Sequence, residues 1–345
     1  MSRSYFVTGG AGFIGSNYVH RLLERGDKVT VYDNLSRTGA RGTLKWLQEK
    51  FGERAFELVV GDVRDAEQLA ICTREADVIV HLAGQVAVTT SVAMPREDFE
   101  INAVGTFNLL EAARLNGRKP VFLYASTNKV YGGMDDVPVV ETGTRWEYES
   151  LPFGVPETQP LDFHSPYGCS KGAGDQYVRD YARIYGLPSV VLRQSCIYGP
   201  RQFGVEDQGW VAWMVIAAVT GRPVTIYGDG KQIRDLLHVD DLLDAYDAVI
   251  EDIEHVIGDV FNLGGGAENT MSIWAEFGPR LEKLLGRPIP VARGGWRPGD
   301  QKVFVADTRK AESMLGWKPK YNVDRGVKQL FDWVSANRNL FEEQV

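Results

Sequence analysis

The chain has 345 residues and a formal net charge of −8 at pH 7. This length can bury a large core and predicts one large domain or two unequal domains. The acidic balance argues against general nucleic-acid binding, which requires an excess of Lys and Arg to neutralise phosphates.

The cysteines and the apolar stretches indicate the cellular compartment in which the protein is expected. Cys72, Cys169 and Cys196 are few, odd in number and far apart. They provide neither a disulfide framework nor a metal-ligand spacing, so we expect a reducing cytoplasm and no metal site. No secretion-signal pattern opens the chain. The longest apolar stretch, Trp210–Thr220, is too short to span a bilayer and predicts a core helix, so no membrane partner is expected.

Short β-branched runs alternate with helical patterns in the first half. The predicted strands and helices, in chain order, are Tyr5–Thr8, Asn17–Arg25 (helix), Lys28–Tyr32, Phe56–Val60, Val78–His81, Phe107–Asn116 (helix) and Val121–Tyr124. This alternation predicts βαβ units and hence an α/β Rossmann fold with a doubly wound parallel sheet. An irregular acidic segment follows at Gly133–Phe163, and a helix begins near Pro166 and runs to about Tyr185.

Beyond Arg193 the rhythm becomes irregular, with clusters of Gly and Pro. We interpret this half as a smaller α/β substrate domain that is interleaved with the last sheet elements. The expected Rossmann domain is 1–192 plus about 236–262, and the expected substrate domain is 193–235 and 263–345.

The segment after the first strand carries a glycine pattern for a dinucleotide. Gly9 can adopt a positive φ in the tight turn, Gly12 lets backbone approach a pyrophosphate, and Gly15 permits close packing of helix on strand. The start of the following helix offers N–H groups to phosphates. Such a pattern is weak alone, but here it lies between a strand and a helix.

The next two strands end in carboxylates that extend this pattern. Asp33 can accept hydrogen bonds from an adenosine ribose and repels a 2′-phosphate, which favours NAD over NADP. Arg37, in contrast, could bind that 2′-phosphate and would favour NADP. Asp62 could take the adenine amino group, or it could be an ordinary turn residue.

A Tyr and a Lys four residues apart predict the catalytic centre. Tyr167 and Lys171 share one face of the predicted helix. A phenol titrates near ~10, and a neighbouring ammonium together with the nicotinamide charge favours the phenolate. Ser126 and Thr127 end a strand at the sheet edge where ligands bind, and one hydroxyl there should hold the substrate oxygen. The spacing is common on surface helices, so the combination carries the prediction.

With these residues in place, the chain resembles the extended short-chain dehydrogenase/reductases that act on nucleotide sugars. The resemblance runs from Thr8–Gly15 to Leu315–Trp317, essentially the whole chain. It implies that Thr127 anchors the substrate hydroxyl, Tyr167 is the base and Lys171 tunes it. The cofactor residues that it implies, together with those argued above, are Gly9, Gly12, Phe13, Ile14, Gly15, Asp33, Asn34, Ser36, Arg37, Asp62, Val63, Leu82, Ala83, Gly84, Asn102, Tyr167 and Lys171. From the residues alone, His81 is a core histidine and Asn102 a polar residue of a helical region.

The residues after Thr127 distinguish reactions within this family. Its 4,6-dehydratases carry Asp-Glu there, because expelling a hydroxyl needs an acid and a base. This chain has Asn128-Lys129, which disfavours dehydration. Four-electron oxidation needs a cysteine nucleophile, for which Cys169 and Cys196 are poor candidates. Transient oxidation and return of the hydride, an epimerisation, is what remains.

Four segments are similar to the CDP-tyvelose (CDP-paratose) 2-epimerases. They are His81–Ser91, Ser126–Gly132, Leu161–Tyr167 and Arg201–Phe203 with Asp207–Trp210. This likeness implies inversion at C2 of a CDP-hexose with bound, recycled NAD. Spacing and composition leave open a UDP-glucose-type 4-epimerase, a net sugar dehydrogenase and a non-catalytic NAD-binding protein. The family also implies a homodimer or homotetramer.

Substrate contacts are expected in both halves of the chain. Arginines suit phosphate oxygens, and Arg234 and Arg297 lie in Gly-rich loops where the family uses arginines. Cys196 stands where relatives often have Asn, which leaves its role open. The full set of expected substrate residues is Gln85, Val86, Thr127, Asn128, His164, Tyr167, Cys196, Arg234, Arg297 and Asp300.

Overall fold

The computed structural model describes residues 2–297 and 300–342. Residues 298 and 299, inside the motif that begins at Arg297, lie outside the described residues. The strands are β1 (Ser4–Thr8), β2 (Lys28–Asp33), β3 (Glu57–Val60), β4 (Val78–His81), β5 (Val121–Thr127), β6 (Val139–Thr142), β7 (Arg145–Tyr148), β8 (Ser189–Gln194), β9 (Ile197–Tyr198), β10 (Val224–Tyr227), β11 (Ile233–Asp235), β12 (Leu237–His238), β13 (Val260–Leu263), β14 (Thr270–Ser272), β15 (Val291–Gly294) and β16 (Val303–Phe304).

Helices connect most of these strands. They are α1 (Phe13–Glu24), α2 (Ala40–Phe51), α3 (Ala66–Cys72), α4 (Val88–Ala93), α5 (Pro95–Phe99), α6 (Gly105–Leu115), α7 (Ser165–Tyr185), α8 (Trp210–Thr220), α9 (Val239–Glu251), α10 (Ile253–Val256), α11 (Phe277–Leu285), α12 (Arg309–Leu315), α13 (Val323–Ala336) and α14 (Asn339–Glu342). A π-helical turn at Glu100–Val104 joins α5 to α6. No helix within residues 2–297 and 300–342 is long and apolar enough to cross a membrane.

A seven-stranded parallel sheet forms the centre of the first part of the chain. Its strand order is β13-β8-β5-β4-β1-β2-β3, with β1 between β2 and β4. The order reverses at β1, so the loops after β1 and β4 meet at the edge where ligands of such sheets bind. Apolar strand residues such as Phe6, Ile79 and Phe122 are fully buried among the helices. The predicted doubly wound sheet is confirmed, and β5 extends three residues beyond its predicted end, to Thr127.

The chain divides into two compact units. Unit 1 comprises 1–130, 163–193 and 243–261, and unit 2 comprises 131–162, 194–242 and 262–345. The core of unit 2 surrounds the predicted core helix α8, whose apolar side chains pack with Leu330 and Val334 of α13.

The acidic segment 133–163 contains a β-hairpin that the sequence analysis did not predict. Strands β6 and β7 pair antiparallel across the turn at Gly143. Residues 131–162 group with unit 2, whereas the sequence prediction placed them with the Rossmann domain. The reason is packing: the Tyr148 hydroxyl donates to the Val303 carbonyl at 2.9 Å, and the Val155 amide donates to the Val305 carbonyl at 2.7 Å.

Candidate active site

The glycine loop between β1 and α1 is shaped by close backbone contacts. Gly9 has φ +68°, and a Cβ there would lie 2.8 Å from the Ala83 amide nitrogen. A Cβ on Gly15 would lie 2.1 Å from the Gly9 carbonyl oxygen. Neither position can hold a side chain without moving backbone. At Gly12 the nearest atom to such a Cβ is the Gly9 oxygen at 3.2 Å, and α1 begins immediately after it. The loop therefore fits a bound pyrophosphate at the helix N-terminus.

Asp33 at the end of β2 braces this loop. Its Oδ2 accepts from the Ala11 amide at 3.0 Å, and its Oδ1 accepts from the Leu35 amide at 2.8 Å. Burial raises the pKa of this carboxyl, while the two amides lower it. Each oxygen keeps a lone pair for a ribose hydroxyl, so the arrangement fits NAD.

The loop after β2 holds the next expected cofactor residues. Asn34 accepts from both the amide and the hydroxyl of Ser36, and Arg37 follows them. Asn34 also donates to Asp62 Oδ2 at 3.1 Å. Asp62 is paired with Arg64 at 2.8 Å, which holds the pKa of this carboxyl well below its usual range. An adenine contact at Asp62 would therefore share the carboxylate with Arg64.

His81 at the end of β4 belongs to a buried chain of hydroxyls. Thr106 Oγ1 donates to the Asn102 carbonyl, so it accepts from His81 Nε2 at 3.0 Å. His81 Nδ1 then accepts from Thr8 Oγ1 at 2.7 Å, and Thr8 in turn accepts from the Leu82 and Ala83 amides. This order requires the neutral Nε2–H tautomer. Burial lowers the pKa of His81 to about 3, and the Lys171 charge acts in the same direction.

Tyr167, Lys171 and Thr127 come together in unit 1. Tyr167 and Lys171 are both buried on one face of α7. Thr127 ends β5, and its hydroxyl lowers the pKa of the Tyr167 phenol. Lys171 Nζ donates to the Ala125 carbonyl at 2.6 Å and lies 4.3 Å from the centre of the Tyr124 ring. The three side chains predicted to be catalytic therefore form one cluster at the carboxyl edge of the sheet.

Burial shifts both titrating groups of this cluster towards neutrality. It raises the pKa of Tyr167 to about 12, against the lowering effect of the Thr127 hydrogen bond. It lowers the pKa of Lys171 to about 7, against the raising effect of Asp175 and Asp98. Such opposed shifts are typical of acid–base sites. A further positive charge beside the phenol would favour the phenolate.

The residues after Thr127 orient it. The Lys129 amide donates to Thr127 Oγ1 at 3.2 Å, and Thr127 Oγ1 lies 3.4 Å from Asn128 Oδ1. Asn128 is partly exposed beside the cluster.

Asn102 and Gln85 are engaged inside the protein. Asn102 Nδ2 contacts the Gln85 carbonyl, Asp98 and Ser170, and its Oδ1 accepts from the Gln85 amide. The Gln85 side chain donates to Asp98 and to the Ala87 carbonyl, and accepts from the Ala87 amide. Both side-chain amides thus stabilise the loop after β4. From the sequence, Asn102 was expected to contact the cofactor and Gln85 the substrate.

Other expected residues of unit 1 lie near these elements. Phe13 and Ile14 open α1 and are partly buried, Val63 is buried against Gly105, and Leu82, Gly84 and Val86 lie in the partly exposed loop after β4. His164 immediately precedes α7 and is exposed.

The expected phosphate-binding residues belong to unit 2. Arg234 is buried on β11, and its Nη2 lies 3.6 Å from Asp300 Oδ1. Arg297 instead lies over the Tyr227 ring at 3.6 Å and pairs with Asp207 at 3.1 Å. Arg234 and Asp300 are therefore brought together, and Arg297 has a different acidic partner.

Cys196, also in unit 2, has an unusual backbone. Its φ of +40° lies in the left-handed region, which Asn adopts more readily than Cys. An Asn at this position would therefore relieve backbone strain.

Two buried carboxylates near Tyr167 and Lys171, one on α5 and one on α7, were not predicted from the sequence. Asp98 accepts from Ser170, Gln85 and Asn102. Asp175, one turn after Lys171, forms a buried ion pair with Arg193 at 2.9 Å. The i, i+4 spacing of Asp98 and Asn102 is compatible with a hydrogen bond between their side chains. The sequence does not distinguish the buried Asp98 from the exposed acidic residues of the same segment.

The geometry has counterparts in known proteins. A family model described as GDP-mannose 4,6 dehydratase matches residues 6–330. The CDP-paratose 2-epimerase of Salmonella typhi is 44% identical over 337 residues, which cover 96% of this chain and 98% of that protein. Two solved structures are similar throughout. The UDP-glucose 4-epimerase of Thermotoga maritima, with UDP-glucose, has a TM-score of 0.82 and 31% identity, covering 97% of this chain and 99% of that one. The dTDP-glucose 4,6-dehydratase of Streptomyces venezuelae, with NAD bound, has a TM-score of 0.84 and 30% identity, covering 99% of both chains.

The chain belongs to the extended short-chain dehydrogenase/reductase family. The family prediction is thereby confirmed, and the coarse activity is that of a nucleotide-sugar epimerase or dehydratase. The family is NAD-dependent, which agrees with the cofactor that the Asp33 carboxylate predicts.

Proposed function

We propose that this protein is an NAD-dependent epimerase that inverts C2 of a CDP-hexose, as in the conversion of CDP-paratose to CDP-tyvelose. The 44% identity to a CDP-paratose 2-epimerase along almost the full length of both chains carries the proposal. The site supports it, because the cluster of Thr127, Tyr167 and Lys171 suits reversible oxidation of a sugar alcohol. Asn128 and Lys129 supply no carboxylates for dehydration.

The cluster acts on the proton of a sugar hydroxyl. Thr127 donates to the sugar oxygen, and the Tyr167 phenolate removes the hydroxyl proton. Lys171 stabilises that phenolate through its positive charge and its remaining N–H groups. NAD, held by the glycine loop of Gly9, Gly12 and Gly15 and by Asp33, would supply the acceptor for a hydride from the sugar carbon and the donor for its return. Tyr167 then gives a proton back to the same oxygen, so no net redox change results.

Arginines of unit 2 are proposed to hold the diphosphate. Arg234 is buried, lies 3.6 Å from the Asp300 carboxylate and donates to the Ile233 carbonyl at 2.8 Å, so its guanidinium keeps further donors for phosphate oxygens. Arg297 would exchange its contact with Asp207 for a phosphate. Arginine forks favour such bidentate contacts in a chain that is acidic overall.

Product analysis tests the function directly. The purified protein is incubated with CDP-paratose, CDP-glucose and UDP-glucose without added NAD, and the products are identified by NMR. We expect the C2 epimer of a CDP-hexose, formed with cofactor that stays bound and is recycled. Recovery of the C4 epimer alone would refute the C2 assignment in favour of a 4-epimerase. A steady rise in absorbance at 340 nm would indicate a net dehydrogenase.

A substitution tests the catalytic cluster. Tyr167→Phe should retain bound NAD and lose turnover, because Phe removes the group that takes the proton. Tyr185→Phe, at the exposed end of the same helix, is the matched control and should retain activity. Undiminished turnover by Tyr167→Phe would refute the assigned base, and a wild-type chain that binds NAD but turns over no sugar would favour a non-catalytic role.

A homodimer is also proposed, through helices beside the sheet. Phe107 on α6 and Tyr177 on α7 touch, with ring centroids 5.8 Å apart, and both rings are about half exposed. Ile184 on α7 is 65% exposed. Exposed apolar side chains of this kind on α6 and α7 favour burial against a second copy. Sedimentation equilibrium should give a dimer that Ile184→Glu weakens and Met314→Glu, on α12, does not.

A further inference from the structure

Asp98 is a buried carboxylate with no part in the proton transfer described above. It lies in α5 and is 1% exposed. Its Oδ2 accepts from Ser170 Oγ at 2.5 Å, and its Oδ1 accepts from Gln85 Nε2 at 2.8 Å and Asn102 Nδ2 at 3.1 Å. Because a buried charge loses its hydration, this set of donors replaces water around the carboxylate.

The donors to Asp98 come from three different segments. Gln85 belongs to the loop after β4, Asn102 to the π-helical turn, and Ser170 to the catalytic helix α7. Ser170 lies between Tyr167 and Lys171 in sequence, three residues after the first and directly before the second. A shift of Ser170 against Asp98 would therefore move both catalytic side chains.

The charge of Asp98 also reaches those two side chains. It raises the pKa of Tyr167, although burial has the larger effect. It likewise opposes the lowering of the pKa of Lys171 by burial. The other charged or titratable groups that face the pair are Asp175 with its partner Arg193, His81 and Tyr124.

We propose that Asp98 is a positioning residue of this site. Its carboxylate fixes the Ser170 side of α7 against the loop after β4 and supplies the buried negative charge beside Tyr167 and Lys171. The proposal rests on the proposed function in taking these two residues as the acid–base pair. It does not depend on the identity of the sugar.

Asp98→Asn removes the negative charge of this side chain and retains its size and shape. The amide oxygen can still accept from Gln85 and Asn102, and the new NH2 group can donate to Ser170 Oγ. Ser170 can then turn its hydrogen to the Tyr167 carbonyl, which lies 3.2 Å away. The variant thus keeps its hydrogen bonds and loses one negative charge. Glu100→Gln is the matched control, since Glu100 lies two residues away, is partly exposed and pairs with Arg96 at 3.4 Å.

The first experiment needs no substrate. The full chain with its bound cofactor is labelled with ¹³C at lysine Cε, and the Lys171 signal is assigned by its loss in Lys171→Arg. We expect Asp98→Asn to move the titration of Lys171 to lower pH and Glu100→Gln to leave it in place. An unmoved Lys171 titration in Asp98→Asn would overturn the role of the charge, even if the protein proved to be the expected 2-epimerase. Conversely, the shift can be observed if no tested sugar is turned over.

Kinetics test the same idea independently. Removing a negative charge lowers the pKa of both the phenol and the ammonium, so both limbs of the pH profile of kcat should move together towards acid. A merely structural role would lower kcat at every pH and leave the limbs where they are. Unmoved limbs would therefore overturn the proposed charge effect.

Ser170→Ala tests the tether and remains informative if Asp98→Asn does not fold. It removes one donor to Asp98 and retains the charge. We expect kcat to fall on the order of tenfold or more, with the sugar KM and both pH limbs unchanged, because Tyr167 and Lys171 are misplaced. Full activity in Ser170→Ala would overturn the positioning role.

Discussion

Acidification should destabilise unit 1 through His81. This histidine is held neutral between Thr8 and Thr106, and its pKa is about 3 in the folded chain against an ordinary 6.5. Between these two pKa values the unfolded chain binds a proton on His81 that the folded chain does not bind. The contribution of the neutral histidine to the free energy of unfolding is therefore fully present above about pH 6.5 and is lost as the pH falls. Linkage then gives a loss of about 2 kcal/mol between pH 7.5 and pH 5.

Urea denaturation followed by circular dichroism measures this loss. The free energy of unfolding is compared at pH 7.5 and pH 5 for wild type and for His81→Gln, whose side chain does not titrate. We expect the drop to be smaller by about 2 kcal/mol in His81→Gln. His255→Gln is the matched control, because this histidine is exposed and should leave the drop close to that of wild type. Equal drops in wild type and His81→Gln would refute the reasoning.

Three further substitutions follow from local geometry. Gly15→Ala should abolish NAD binding, measured by cofactor retention on purification, because its Cβ would meet the Gly9 carbonyl at 2.1 Å; retained NAD would contradict this. Asp175→Ala should cost about 3–5 kcal/mol in urea denaturation, because it removes the carboxylate that pairs with the buried Arg193; a loss below about 1 kcal/mol would show that other groups or water compensate that charge. Cys196→Asn should stabilise the chain by about 1 kcal/mol, seen as a higher melting temperature, since Asn tolerates φ +40°; a lower one would mean that lost packing outweighs the relief.

Local sequence patterns predicted the elements whose form depends on neighbours in the chain. The strand β4 and the helix α8 have the predicted bounds, since each is a continuous apolar run between polar turns. The glycine loop could also be predicted from the sequence. Gly9 and Gly15 are required there by close backbone contacts within a short segment or across one strand pair.

Features that depend on distant partners were not predicted. The hairpin β6–β7 is short and exposed on one side, and it is held by residues far along the chain, as in the bond from the Trp146 amide to the Lys231 carbonyl. The family resemblance placed Asn102 on the cofactor side, and Gln85 was expected to line the sugar pocket. The Asp98 carboxylate also accepts from Ser170, 72 residues away on α7, and no local pattern specifies that contact between α5 and α7.

The turn after β5 separates the proposed epimerisation from dehydration better than Tyr167 does, since the proton transfer proposed for Tyr167 would serve the first step of either reaction. Dehydration requires groups that can give and take a proton at a second carbon. At the two positions after Thr127 this chain has an amide side chain and a residue whose backbone amide orients the Thr127 hydroxyl. The Lys129 carbonyl would lie 3.3 Å from a Cβ on Gly168, so this turn packs closely against α7. These two positions therefore supply no carboxylate that could expel a hydroxyl, which supports the proposed return of the hydride over dehydration.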